Sequence, residues 1–236
     1  MTGHCEAFVK TKISGFTLIE TLLVVALIAI LAVLISPMFK QARATAESAA
    51  CANQLKQWGL AFRMYANDNH GWLFTTKHWE STEFKEHDEM MPNVYAHYLQ
   101  ATSAKVVELR NCPEVVKQVG LTRLRTDSKY GYSMNWPNVK TASEYKLMPE
   151  DRYGGASYQL DAIPKPAEFL LIAETDGTYY RVRSGELRGM VSSVLGRHSG
   201  GINILRADQH VDFVSFETIV SQSALPDDQN TWFQAN

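Results

Sequence analysis

The sequence predicts an α+β protein in which one long N-terminal α-helix packs on a C-terminal antiparallel β-sheet. Two patterns indicate this fold: an apolar block over residues 16–35 that continues as helix-forming sequence to about Asp68, and an apolar–polar alternation on both sides of a turn at residues 207–210. The composition suits a folded chain, because 45% of the 236 residues are hydrophobic. A formal net charge of −2 argues against nucleic-acid binding, which needs a strongly basic surface.

The first half of the helix is long and apolar enough to cross a membrane. From Phe16 to Ile35 the chain reads FTLIETLLVVALIAILAVLI. At about 1.5 Å per residue this block forms a helix of roughly 30 Å, the thickness of the hydrocarbon core of a bilayer. Lys10 and Lys12 precede the block, and positive residues beside an apolar segment hold that end in the cytoplasm.

Three interpretations of this N-terminus compete. A secretory signal peptide fits poorly, because the block exceeds the usual roughly 7–15 residues and no small-x-small cleavage site follows it. A signal anchor leaves Glu20 unexplained, since a carboxylate inside an apolar segment is costly and points to function. Cleavage between Gly15 and Phe16 explains Glu20, because the new α-amine on Phe16 lies about one helical turn away and also within reach of the Glu20 of a neighbouring subunit.

The segment ISG-FTLIE, followed by an apolar helix, resembles the N-terminus of type IV pilins and pseudopilins. The resemblance implies that a prepilin peptidase recognises Gly15 and that Phe16 becomes the N-methylated first residue. It also implies that Glu20 guides assembly into a helical filament. Pro37 matches a position where such helices often bend, and a proline inside a helix removes one backbone hydrogen-bond donor.

The resemblance therefore predicts a pilin-like fold and a structural, non-enzymatic role without a cofactor. The expected divisions are a leader over 1–15, a membrane-spanning and filament-core helix over 16–36, a periplasmic half of the helix over 37–70, and a globular α+β head over 71–236. The chain is expected in the inner membrane with a periplasmic body, and then in a type II secretion pseudopilus or an extracellular type IV pilus. Expected partners are the membrane, prepilin peptidase, the inner-membrane assembly machinery and further copies of the chain, but not nucleic acid.

Beyond Pro37 the sequence predicts a continued helix with one apolar face and a stop at Asn69-His70-Gly71. That face consists of Leu55, Trp58, Phe62 and Tyr65. Further expected elements are short helices at 90–99 and 114–119, a strand or turn at 106–109, strands at 130–135 and 169–173, an exposed insertion at 139–158, and a hairpin at 202–213.

Two cysteines remain in the body once Cys5 leaves with the leader. Cys51 lies in the predicted helix and Cys112 in a predicted turn. A disulfide suits an oxidising compartment, but sequence gives no distance between the two sulfurs. A disulfide and two separate thiols therefore both remain open.

The C-terminal part resembles a pilin-like family whose signature is a histidine, nine residues and then Asp-Gly. Here His198 precedes Asp208 by that spacing, and Gln209 replaces the glycine. If the turn keeps a positive φ at Gln209, the side chain costs about 1 kcal/mol. We expect His198 and Asp208 to form a structural hydrogen bond that holds the hairpin.

Three other chemistries have weaker support. A calcium site would use the oxygens of Glu174, Asp176, Asp208 and Asp212, although no EF-hand spacing is present. A hydrolytic triad would combine His198 and Asp208 with Ser192, Ser193 or Ser199. A membrane-anchored module would bind a glycan or another polymer through the aromatic residues of 72–79 and 95–98, with the helix as an anchor only.

Overall fold

The computed structural model describes residues 15–73, 96–120, 131–135, 159–175, 181–182, 187–192, 198, 200–225, 229–230 and 232–233. The chain forms two compact units, which meet in sequence between Ala42 and Arg43. The first unit contains the apolar half of the long helix, and the second contains the rest of that helix and the sheet. Residues 1–14 of the predicted leader, including Cys5, and the predicted insertion at 139–158 lie outside the described residues.

Helix α1 is the long helix that the sequence predicts, and it extends over Leu18–Asp68 with Pro37 inside it. Its end coincides with the predicted stop, because His70 and Gly71 both adopt positive φ angles of 56° and 85°. The N–H of Gly71 donates to the Ala66 carbonyl at 2.7 Å and closes the last turn. The bend predicted at Pro37 stays a prediction.

The remaining elements form a five-stranded sheet with short helices around it. Among the described residues, the helices after α1 are α2 (Ser103–Leu109), α3 (Pro113–Val119), α4 (Leu187–Ser192) and α5 (Phe216–Ser223), with a 3₁₀ turn at Leu160–Ala162. Residues 96–99, the described part of the short helix expected before Gln100, are helical too. The strands are β1 (Tyr132–Asn135), β2 (Leu170–Glu174), β3 (Arg181–Val182), β4 (Gly201–Arg206) and β5 (Val211–Ser215).

The strand order is β3-β1-β2-β4-β5. The four strands β1, β2, β4 and β5 pair antiparallel, and β3 adds to β1 in parallel. The predicted hairpin is β4–β5, in which Ile202 lies opposite Val214 and Ile204 opposite Asp212. This arrangement confirms the predicted α+β, pilin-like fold.

Two hydrophobic clusters cover the two faces of the sheet. The first joins the buried face of α1, including Cys51, Leu55, Trp58 and Phe62, to sheet residues such as Leu205. The second, on the other face, contains Leu170, Ala173, Val182, Leu187, Ile202, Ile204, Val214, Ile219, Trp232 and Phe233. The aromatic stripe of α1 therefore packs the core, as its helical spacing predicts.

One expected element was assigned the wrong type. Residues 106–109, expected as a strand or turn, form the second half of α2. Thr102 caps this helix, since its side-chain oxygen accepts from the Lys105 N–H at 3.3 Å. A short apolar run fits a strand as well as a helix, and the cap decides between them here. The predicted helix at 114–119 is confirmed as α3, with Pro113 at its start.

Candidate functional site

The N-terminal motif places Glu20 at the start of α1. The backbone N–H and the hydroxyl of Thr17 both donate to Glu20 Oε2, each at 2.8 Å. Thr17 precedes the first helical residue, so Glu20 occupies the third position of the helix and forms one half of a capping box. The positive end of the helix dipole also favours a carboxylate there. The fold thus holds this carboxylate within one turn of the Gly15–Phe16 bond.

Phe16, which follows the bond predicted for cleavage, is exposed, and the space around Gly15, which precedes that bond, is uncrowded. Phe16 is 80% exposed, and no heavy atom lies within 4 Å of a Cβ built on Gly15. A peptidase requires both properties, because it must bind the backbone on either side of the bond that it cuts.

The apolar half of α1 presents its side chains to the surroundings. An 18-residue window of this helix has a mean hydropathy of 3.0 and none of it is buried. Its exposed large apolar side chains are Leu18, Ile19, Leu22, Leu23, Val24, Val25, Leu27, Ile28, Ile30, Leu31, Val33, Leu34 and Ile35. A continuous apolar surface of this size marks a membrane or protein contact. Among the described residues, α1 is the one helix that meets the length and composition of a membrane span.

A second group of residues, which we call the Cys–Glu–His cluster, lies between α1 and the sheet and consists of Cys51, Cys112, Glu174 and His198. The structure joins Cys51 and Cys112 as a disulfide with a Cα–Cα distance of 5.3 Å. His198 Nε2 lies 3.4 Å from Cys112 Sγ and 3.2 Å from Glu174 Oε1. One ligand atom from each of the four residues lies within 4.8 Å of the other three.

Four separate segments contribute to this cluster. Cys51 lies on the buried face of α1, one turn before Leu55. Cys112 is the residue before α3, Glu174 is the last residue of β2, and His198 precedes β4. Since β2 and β4 are antiparallel neighbours, the end of one lies beside the start of the other.

Hydrogen bonds orient the Glu174 carboxylate within the cluster. Its Oε2 accepts the Asn203 N–H at 2.8 Å, and its Oε1 lies 3.3 Å from Asn203 Nδ2. Asn203 Nδ2 also donates to the Ser48 carbonyl at 3.3 Å. Burial, and then the nearby negative charge of Glu174, raise the pKa of Tyr132 well above its ordinary value.

The predicted pair of His198 and Asp208 is not formed. His198 contacts Glu174 and Cys112, whereas Asp208 accepts from the backbone N–H and Nδ1 of His210. The reason is that β4 lies between the two residues, so that they flank its opposite ends. Six residues in an extended strand separate these ends by about 20 Å.

The structure separates the described members of the predicted calcium set. Glu174 belongs to the Cys–Glu–His cluster, while Asp208 and Asp212 both contact His210 near the β4–β5 turn. Asp176 lies outside the described residues. Calcium binding stays an untested prediction.

The other two weaker predictions fall largely on residues that the structure does not describe. Ser193 and Ser199 lie outside the described residues, as does the side chain of Ser192. Of the aromatic residues expected to bind a polymer, Trp72 is half-buried and Tyr98 donates to Asp68 Oδ2 at 3.1 Å. Residues 74–95 are not described, so the binding-module alternative stays a prediction.

Comparison with protein families identifies the N-terminal segment. Residues 10–36 match the model of the prokaryotic N-terminal methylation motif. This match includes Gly15, Phe16, Glu20 and the apolar half of α1, and it supports a type IV pilin-like protein. No curated protein and no solved structure matches the chain. The matched motif implies processing by a prepilin peptidase and pilus assembly in general terms, and with the apolar helix it fits a membrane-anchored protein.

Proposed function

We propose that this protein is a structural subunit that a prepilin peptidase cuts after Gly15 and that assembles through α1 into a type IV pilus or a type II secretion pseudopilus. The observation that carries the proposal is the methylation motif at residues 10–36, with Glu20 held at the start of a long, exposed apolar helix. The unprocessed chain spans the inner membrane, and its body lies in the periplasm. This role is mechanical and needs neither a catalytic residue nor a cofactor.

The assembly step follows from the position of Glu20. Cleavage creates an α-amine on Phe16, and a free α-amine is largely protonated at neutral pH. In a bundle of apolar helices, an isolated charge is costly, so each Glu20 carboxylate is stabilised by an amine from its own or a neighbouring chain. The charge pair fixes the axial register between helices that otherwise offer only uniform apolar surfaces.

Mass spectrometry of the chain extracted from membranes tests the processing step. In cells with a prepilin peptidase, we expect a chain that begins at Phe16 and carries one added methyl group. In cells without the peptidase, and for the Gly15→Leu variant, we expect the uncut chain. A cut at any other bond contradicts the proposed processing site.

A Glu20→Gln variant tests the assembly step. Glutamine keeps a side-chain oxygen that accepts from the Thr17 N–H, so the helix start is preserved and only the charge is lost. We expect normal insertion and cleavage but a loss of filaments, measured by electron microscopy and by crosslinking between subunits. Filaments as abundant as those of the wild type refute the role of the Glu20 charge. A cleaved wild-type chain that never forms filaments supports the anchored binding module instead.

A further inference from the structure

The Cys–Glu–His cluster contains four side chains of three types that bind transition metals, and all four are buried. Cys51 is 0% exposed, Cys112 1%, Glu174 1% and His198 3%. Zinc is bound in proteins by cysteine sulfur, histidine nitrogen and carboxylate oxygen, almost always with four ligands in a tetrahedron at structural sites. The cluster supplies one such atom from each residue, and therefore offers a complete first coordination sphere without water.

Two distances within the cluster are close to the edges of a zinc tetrahedron. Bond lengths of about 2.3 Å to sulfur and about 2.0–2.2 Å to nitrogen and oxygen give edges of about 3.6 Å between nitrogen and sulfur and about 3.4 Å between nitrogen and oxygen. His198 Nε2 lies 3.4 Å from Cys112 Sγ and 3.2 Å from Glu174 Oε1. The two distances from His198 Nε2 are thus already close to the edges of a zinc tetrahedron, and the remaining ligand atoms lie within 4.8 Å of one another.

The surroundings of the cluster orient the ligands. The Asn203 N–H donates to Glu174 Oε2 at 2.8 Å, and this bond leaves Oε1 directed at His198. Such outer contacts to ligands are typical of metal sites and tune their affinity. Two thiolates, a carboxylate and a neutral imidazole carry three negative charges, which are costly to bury together and which a divalent cation offsets to a net charge of −1.

We propose that the Cys–Glu–His cluster binds one Zn²⁺ when its two sulfurs are reduced, and that the disulfide and the metal are alternative states of the same site. In a disulfide the two sulfurs are bonded at about 2.05 Å, whereas two zinc-bound sulfurs lie about 3.8 Å apart. The exchange therefore moves each sulfur by less than about 1 Å.

The exchange between disulfide and metal has two steps. In the first step, a dithiol gives two electrons and two protons to the Cys51–Cys112 disulfide, which becomes two thiols while the dithiol becomes a disulfide. A phosphine gives the two electrons instead, and water then supplies the two protons and the oxygen of the phosphine oxide. Zinc binding then releases one proton from each thiol and forms two zinc–sulfur bonds, while the metal stays in the +2 state. Metal affinity consequently falls as the pH falls, because protons compete for the two sulfurs.

The test uses the full chain in detergent with Cys5→Ser, so that the leader thiol takes no part. The metal-free protein is reduced under anaerobic conditions, given Zn²⁺ or Co²⁺, and freed of excess metal by gel filtration. We expect one zinc per reduced chain and less than a tenth of that in the oxidised chain. We expect Co²⁺ to give thiolate charge-transfer bands and the intense visible bands of tetrahedral coordination.

Variants assign the ligands. We expect Cys112→Ser to weaken the thiolate bands and His198→Gln or Glu174→Gln to lower the zinc affinity at least about tenfold. His210→Gln is the matched control, because His210 lies between Asp208 and Asp212, outside the cluster, and it should leave both readouts unchanged. A reduced wild-type chain that melts cooperatively yet holds no zinc overturns the proposal, as does undiminished zinc binding when Cys51 and Cys112 are both changed to serine. The cobalt spectrum of the reduced chain with all four ligands intact tests the site even if a variant does not fold.

Discussion

Replacing Tyr132 with phenylalanine tests the packing between α1 and the sheet, because this side chain crosses their interface. Tyr132 is fully buried, and its hydroxyl donates to Gln54 Oε1 at 3.0 Å, with the Cys51 carbonyl at 3.4 Å. Phenylalanine keeps the ring and leaves no large cavity. At neutral pH the variant should lose about 1 kcal/mol of unfolding free energy, because the hydrogen bond to the half-buried Gln54 side chain is lost.

The same substitution should change how stability depends on alkaline pH. Burial, and then the charge of Glu174, raise the Tyr132 pKa well above the ordinary value of about 10. Below pH 10 the hydroxyl is neutral in both the folded and the unfolded chain, so its contribution is fully present. Above pH 10 the unfolded chain ionises while the folded chain stays neutral, so stability falls by about 1.4 kcal/mol per pH unit until the folded pKa is reached.

Denaturant unfolding of wild type and Tyr132→Phe, at pH 8 and at pH 11, measures this effect. The other tyrosines titrate in both proteins and cancel in the difference between them. Since phenylalanine does not ionise, the stability advantage of the wild type should shrink by about 1.4 kcal/mol between the two pH values. An advantage that is the same at both values refutes the reasoning, because it means that the Tyr132 hydroxyl ionises as readily in the folded chain as in the unfolded chain.

Two substitutions test the β4–β5 hairpin by thermal unfolding, one that removes a glycine and one that introduces a glycine. Gly201→Ala should destabilise the protein by about 1–3 kcal/mol, because the added Cβ overlaps the Val214 carbonyl oxygen; an unchanged melting temperature contradicts the register of the hairpin. Gln209 adopts a φ of 77°, so Gln209→Gly should be about 1 kcal/mol more stable than Gln209→Ala, the reverse of the order expected inside a strand. If the alanine variant is the more stable of the two, the left-handed turn at Gln209 is wrong.

Local patterns predicted the parts of the fold that depend on neighbouring residues. The helical spacing of Leu55, Trp58 and Phe62 identified the buried face of α1, and the alternation around residues 207–210 identified the hairpin. These predictions succeed because a helix face and a strand face are each set by a short repeat in the sequence. The capping contact of Glu20 is equally local, since it joins residues only three apart, whereas the role of Glu20 in assembly stays a prediction.

The predicted hydrogen bond between His198 and Asp208 is wrong because the first strand of the predicted hairpin separates the two residues instead of bringing them to one end. Once Gly201–Arg206 is extended, His198 and Asp208 lie on opposite sides of it, and each takes a partner from elsewhere. The polar contacts of Asn203 depend likewise on a residue in α1, Ser48, which is 155 positions away in sequence. A local repeat in the sequence does not predict a contact between residues so far apart along the chain.

The position of the Cys–Glu–His cluster follows from the order of the strands and not from the spacing of its residues in the sequence. A search for metal ligands by spacing fails, because its members are separated by long stretches and no two form a familiar motif. Knowledge of one strand pairing changes this: if β2 and β4 are antiparallel neighbours, Glu174 at the end of β2 must lie near the residues that precede Gly201. His198 is then the nearest residue of a type that binds metals, and a disulfide between Cys51 and Cys112 brings both sulfurs to the buried face of α1. Strand order, rather than residue spacing, is therefore the information that connects this sequence to its buried polar site.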